Sequence, residues 1–475
     1  NVCVKHARKC MIRLQHDKRY AELRQLYNEL VKKEKMSKEE KSQKKKLAKQ
    51  LAACRTEQGL SKASLEHYLK VCGKQFSKLL SSQQIQAEAD RVWCGVERCL
   101  FGNGKELHFK KLMDFDTIGG KSNKNGARFD LDAMYVNWLG LSLKCYLPKS
   151  ENSLSYVWES LKGKISYCNI KRLMFSSVWR YYAEIVVSGA APTRVSIGTS
   201  TMGIDPGVST IAGVSEDACV LEELAPNAIQ YEKKIQKISQ RMDRSRRISN
   251  PNKYNEDGTI KRSNRDPWKH SKNYVKMRRL LKSLYRKKHA YIIDSHRELC
   301  NKLITIARYF PVEKMHFQAL QKRAKETKRQ EKKTEVKQKD GTVKVIQKYK
   351  RKKRFGRSIN RRAPARFLLE LERKVESVGG VYAEVDTKEF KASQYNHVTD
   401  AYEKIPLSQR EKEIRNRKVQ RDLYSAFLIR NTDLDFKHPD REKCEYEFEY
   451  FADMQDQLIL KMKESGLSMR QCFGF

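Results

Sequence analysis

The chain lacks three things: any CxxC pair, any apolar run of 18 or more residues, and acid, with 57 Asp plus Glu against 99 Lys plus Arg. The first absence argues against a zinc ribbon of ordinary spacing. Its twelve Cys are scattered, and the nearest approach, Cys94 and Cys99 in VWCGVERCLF, falls on one expected helix. The second absence excludes a membrane-spanning helix. Unpaired Cys and the lack of a secretory signal lead us to expect a reducing cytosol. The third absence leaves a formal net charge of +42, far beyond what solubility requires, so polyanions are the expected partners. Each phosphate neutralised by such a surface releases condensed counterion, which makes nucleic acid the natural ligand and binding strongly salt-dependent.

With 475 residues, 39% of them hydrophobic, there is room for two to four domains with cores of their own. NVCVKHARKC opens with alternating Val residues and predicts a short strand over residues 1–12. Residues 13–105 turn helical: YAELRQLYNELVKK and LEHYLKVCGKQFSKLL carry apolar residues three and four apart. Nine cations between Lys32 and Lys49 read either as a solvated helix face or as a phosphate rail. Residues 106–200 are punctuated by Gly between short alternating runs, as expected of an antiparallel β-barrel. Trp158, Tyr167, Trp179, Tyr181 and Tyr182 there could stack on bases, although strand aromatics more often form core. In residues 201–475, GIDPGVSTIAGVSEDACVLEEL predicts three short strands joined by tight turns. Residues 230–307 are helical with a break near residues 249–268, and residues 321–354, with sixteen cations and four acids, predict a flexible basic loop.

Three acids have apolar surroundings. Asp205 ends the ramp Met202, Ile204; Glu313 follows the short apolar run of RYFPVEK; and Asp422 shares a helical stripe with Val419, Leu423, Ala426 and Arg430. A buried carboxylate is costly without a cation. Convergence on divalent ions satisfies all three, and hard oxygen ligands favour Mg²⁺, with Mn²⁺ as the substitute, over zinc. Any one of these acids alone reads as a surface ion pair or a cap.

The segments GIDPGVSTIAGV, VEKMHFQALQKR, RAPARFLLELERKVESVGGVYAEVDTKEFKASQ and VQRDLYSAFLIRN, in this order and spacing, resemble the split RuvC-like nuclease of transposon-encoded TnpB proteins. Type V CRISPR (Cas12-like) effectors share that nuclease. The resemblance covers residues 201–475 in motif detail, and LMFSSVWRYYAEIVVSG before them looks like the last strands of the family's wedge domain. It implies a multidomain α/β protein. Residues 1–12 would open the wedge domain, 13–105 form an inserted helical recognition lobe, 106–200 complete the β-barrel wedge, and 201–475 form an RNase H-like (RuvC) domain. Within that domain Asp205 would lie on the first strand, Glu313 at the end of a later strand and Asp422 on a following helix, all three as catalytic metal ligands. The implied partners are a guide RNA and double-stranded target DNA next to a short flanking motif, the implied state a monomer, and the implied place the nucleoid of a prokaryotic cytoplasm.

Three features depart from that pattern. Ser393-Gln394 lacks the Cys that introduces the family's zinc ribbon, so residues 390–418 are expected to be a reduced, metal-free target-strand loading segment. His397 within it reads as a surface histidine in preference to a lone metal ligand, since it has no partner ligands in the sequence. Tyr424 replaces the family's Asn two residues after Asp422, and Pro311 suggests an edge or a bulge where Glu313's strand runs. The competing readings are an RNA-guided binder that represses transcription without cutting and a guide-independent nuclease for branched DNA.

Overall fold

The computed structural model describes residues 1–33, 37–77, 79–102, 104–111, 114–175, 178–193, 195–261, 263–321, 329–337, 343–349, 355–406, 408–433 and 435–474. The chain divides into two compact units, Asn1–Pro192 and Thr193–Phe475.

In the first unit five helices come first: α1 (Val2–Gln15), α2 (Lys18–Val31), α3 (Lys38–Glu57), α4 (Lys62–Gly73) and α5 (Ser82–Phe101). Reciprocal capping boxes start two of them, Ser37 with Glu40 on α3 and Ser81 with Gln84 on α5, satisfying amide groups that the helix itself cannot. The expected strand over residues 1–12 is instead α1. Its Cys3, Ala7, Cys10 and Leu14 are buried at helical spacing, and that stripe outweighs the Val2/Val4 alternation. Then follow β1 (Thr117–Gly119), β2 (Arg128–Asp130), β3 (Tyr135–Trp138), β4 (Leu141–Lys144), α6 (Glu151–Leu161), β5 (Lys164–Phe175) and β6 (Val178–Ser188). Among the described residues they make two three-stranded sheets, ordered β1-β5-β6 and β2-β3-β4, in place of the closed barrel expected. The aromatics expected in a core are largely outside it: Tyr181 is 67% exposed on the edge strand β6, Tyr182 is also exposed, and Trp158 lies exposed on helix α6.

The second unit is built on one sheet. Its strands are β7 (Ser200–Thr201), β8 (Gly203–Pro206), β9 (Thr210–Val214), β10 (Cys219–Glu223), β11 (Ala307–Glu313) and β14 (Val381–Val385), in the order β10-β9-β8-β11-β14 with β7 also on β11. β8, β9 and β10 form the antiparallel meander read from the sequence, while β11 runs parallel to β8 and to β14. Between β10 and β11 stand α7 (Ala228–Ser249) and α8 (Lys272–Ile306). Between β11 and β14 come α9 (Phe317–Gln321), β12 (Arg329–Lys337), β13 (Val343–Tyr349), α10 (Gly356–Arg362) and α11 (Pro364–Ser377). β12 and β13 pair antiparallel, so the expected flexible basic loop contains a two-stranded ribbon; its dense charge hides the alternation of Val343 and Val345. The rest of that segment lies outside the described residues. The chain ends with α12 (Thr387–Phe390), β15 (Tyr395–Asn396), β16 (Ala401–Tyr402), β17 (Glu411–Ile414), β18 (Arg417–Gln420), α13 (Arg421–Arg430), α14 (Arg441–Glu464) and α15 (Met469–Cys472).

Strand alternation sends successive side chains to two different cores. Met202, Ile204, Ile211, Val220, Phe310 and Val312 pack with Leu299, Leu303, Phe367, Leu371 and Val375 of α8 and α11. Ala212, Val214 and Leu221 pack on the other face with Leu423, Phe427, Phe448 and Phe451 of α13 and α14. Every residue of α13 but Asp422 is buried, because the helix is sandwiched between the sheet and α14.

Pro311 sits in the interior strand β11, not at an edge. The neighbouring chain breaks at Met202, between β7 and β8, across from the point where Pro311 has no N–H to give, and the register with β7 shifts at Ala307–Tyr309.

Candidate active site

The alternation that buries Met202 and Ile204 toward α8 and α11 turns Gly203 and Asp205 toward α13. Gly203 is the point of closest approach: a Cβ there would run into the Ala426 carbonyl oxygen and the Arg430 backbone nitrogen. Because strand and helix touch backbone to backbone at that position, Asp205, two residues further on, faces the first turn of α13. The stripe Arg430, Ala426, Asp422 carries the matching acid at that level. Ile204 pairs with Val312 in parallel register, so Glu313, the last residue of β11, lies beside Asp205. After Asp205 the Gly207 N–H returns to the Thr210 carbonyl at 2.9 Å, closing the tight turn that Pro206-Gly207 announces. The structure therefore places Asp205, Glu313 and Asp422 on β8, β11 and α13, the elements the resemblance implies.

The three carboxylates are deep, yet each keeps an accessible face; the Asp422 side chain is 20% exposed. Burial pushes the Asp205 carboxyl well above the usual carboxylate range, and the charges of Glu313 and Asp422 push it the same way. Glu313 is also raised, chiefly by burial and then by Asp422, while its hydrogen bond with Asp205 pulls the other way. Burial raises Asp422 too, against the lowering pull of Arg410, Arg421 and Gln420. Arg410 Nη1 stands 3.5 Å and Gln420 Nε2 stands 3.3 Å from the same oxygen, Asp422 Oδ2. Among the described residues no three His, Cys, Asp or Glu side chains are drawn together as a finished metal cage. Asp205 and Glu313 are side by side, and Asp422 lies within electrostatic reach of both. This donor set of buried, mutually repelling oxygens fits a hard divalent ion.

Sequence reasoning missed Arg410, Arg421 and Gln420. Arg421 is buried and its charge bears on all three acids. The signal lay in QREKEIRNRKVQRD, whose cations precede the last acid, but Gln is a weak capping residue and gave no sign of its role at position 420. His397 is a correction: it is fully buried, not on the surface. Its backbone N–H donates to Tyr424 Oη at 3.2 Å, and Tyr424 Oη lies 2.7 Å from its Nδ1. That geometry assigns the hydroxyl proton to Nδ1 and the imidazole proton to Nε2, which faces Glu445 Oε2 at 3.4 Å. Glu445 in turn pairs with Arg415, and Arg441 donates to the His397 and Val398 carbonyls at 2.9 and 2.8 Å. Segment 390–418 is therefore fastened to α13 and α14 by side chains.

No protein-family model matches this chain, and no curated protein does. Among solved structures it is similar to one described as "Cryo-EM structure of the Cas12f1-sgRNA-target DNA complex", with TM-score 0.43 and 14% identity over 78% of this chain and 75% of that one. A second, "Cryo-EM structure of CRISPR-Cas12f Ternary Complex", gives TM-score 0.27 and 14% identity over 80% of this chain and 75% of that one. A likeness this weak adds no support to a reading of the site, which stands on its own residues. No helix among the described residues is long and apolar enough to cross a membrane.

Proposed function

We propose that this chain is an RNA-guided endonuclease that hydrolyses DNA phosphodiester bonds with Mg²⁺. The observation that carries the reading is that Asp205 and Glu313 stand side by side at the ends of β8 and β11, with Asp422 of α13 within electrostatic reach, in a chain of net charge +42. Asp205 and Glu313 would hold the ion, with Asp422 completing its ligands. Bound there, Mg²⁺ would supply an activated water and neutralise charge on the phosphodiester.

The chain's own residues do the rest. Arg410 and the buried Arg421 hold positive charge beside the acids, which favours the arrival of a phosphodiester. The Gly203 contact fixes the separation of strand and helix, which brings acids from distant parts of the sequence near one another. Guidance by RNA rests on the four ordered motifs and on the chain's excess of cations, which suits an RNA–DNA duplex held by its backbone.

The test is to purify the protein with the RNA it carries and offer duplex DNA matching that RNA. Metal-dependent cleavage that disappears in Asp205→Ala is the expected outcome. Cleavage that needs no metal, or that survives the substitution, overturns the proposal. Guide-dependent binding without nicking would favour the repressor reading, and cleavage of branched DNA after RNase treatment would favour the unguided nuclease.

A further inference from the structure

Asp422 Oδ2 accepts a hydrogen bond from Gln420 Nε2 at 3.3 Å and pairs with Arg410 Nη1 at 3.5 Å.

Gln420 has no freedom in this arrangement. It is 1% exposed and caps α13, its Oε1 accepting the Leu423 N–H at 2.6 Å. That bond consumes the carbonyl end of the amide, so the NH₂ end must point at Asp422. Its backbone is fixed as well: the Gln420 N–H donates to Gln455 Oε1 at 2.6 Å, and the fully buried Gln455 is itself oriented by donating to the Lys418 carbonyl and to Asp456 Oδ1, both at 3.1 Å. A chain of oriented amides thus runs from α14 through β18 to one oxygen of one acid.

We infer that Gln420 is a positioning residue that orients the Asp422 carboxylate for an ion, with Gln455 holding it in place. This rests on the reading of the acid cluster as a metal site. The alternative is that Gln420 only caps α13, and Ser or Asn separates the two roles. Both are preferred N-cap residues, while both are too short to cap the helix and reach Oδ2 together.

The readout is Mn²⁺ binding to the purified protein, followed by loss of the free-ion electron paramagnetic resonance signal, with thermal unfolding measured in parallel. For Gln420→Ser and Gln420→Asn we expect Mn²⁺ binding weakened about 10-fold, the scale of losing an outer-shell orienting partner. The unfolding midpoint should stay within about 3 °C. Unchanged Mn²⁺ binding in both variants overturns the inference. A midpoint that falls in step with binding also overturns it, leaving Gln420 a cap alone. Wild-type protein with no Mn²⁺ site that Asp205→Ala removes overturns the metal-site reading itself, and that outcome is visible before any Gln420 variant is made.

Discussion

Helix α13 carries two buried polar clusters two residues apart, and they are settled in opposite ways. At Tyr424 a neutral histidine, a hydroxyl, a carboxylate and two arginines surround one another, although His397 Nε2 and Glu445 Oε2, 3.4 Å apart, are not hydrogen-bonded. At Asp422 three carboxylates bear on one another electrostatically, each raised by burial, with arginines as partial compensation. Burial of charge is tolerated where partners are supplied and is a liability where they are not. The proposed function explains why the fold keeps the second arrangement beside the first: the acids are placed for a cation. The His397 cluster therefore reads as a fastener, and the Asp205 cluster as a site.

The comparison breaks most sharply by substitution. Asp205→Ala should reduce cleavage about 10³-fold, since metal assistance contributes several kcal/mol to transition-state stabilisation. The unfolding midpoint in metal-free buffer should hold or rise, because a repelling buried acid has gone. A variant that cuts normally, or one that fails to fold, would erase the distinction between site and fastener. His397→Ala should do the reverse. It leaves Tyr424 Oη and the Glu445–Arg415 pair without their buried partner, at about 1–3 kcal/mol for the unsatisfied groups. The midpoint should drop by several degrees, while cleavage per folded molecule at low temperature survives. Tyr424→Phe, which removes only the hydroxyl, should cost less than His397→Ala on the same melting curve.

The two clusters also respond to pH with opposite sign. Burial holds the His397 imidazole down to about 4, so the unfolded chain takes up a proton as pH falls through 6.5 and the folded one does not until about 4. Stability is therefore lost across that window on acidification, and His397→Gln should flatten the slope relative to wild type. His296, also lowered to about 4 by burial, contributes a parallel loss that the difference between the two proteins cancels. The Asp205–Glu313 pair is raised instead. Its contribution is fully present below the unfolded carboxylate range and is lost as pH rises through the folded values, so in metal-free buffer the gain in stability from Asp205→Asn should grow with pH. Denaturant midpoints between pH 4 and 8 for the three proteins test both signs.

Much of this contrast was legible in the sequence. The apolar ramp before Asp205, the strand end at Glu313 and the VQRDLYSAFLIRN segment located the acids, because strand alternation and helix periodicity are local properties. What stayed hidden depends on contacts between distant segments. Nothing near His397 announces that Tyr424 will bury it, and nothing near Gln420 announces that Gln455, on another helix, will fix its amide. Pro311 argued for an edge or a bulge; the strand is interior, and the irregularity lies in its pairing with β7, whose break at Met202 lets the proline lie inside the sheet. The misread strand at residues 1–12 came from weighing two valines over a longer stripe of Cys and Ala that becomes visible as core only once packed. The basic segment 321–354 concealed its ribbon behind charge.

The central claim is that the acid cluster binds a divalent cation in the folded protein. It is tested most directly by the unfolding midpoint of metal-free protein titrated with Mn²⁺ or Mg²⁺, beside Asp205→Ala. A ligand that binds only the folded state raises stability as its concentration passes the dissociation constant. The account predicts a saturable rise in the wild-type midpoint that is absent in the variant. A wild-type midpoint indifferent to the ion, or an equal rise in both proteins, would contradict it.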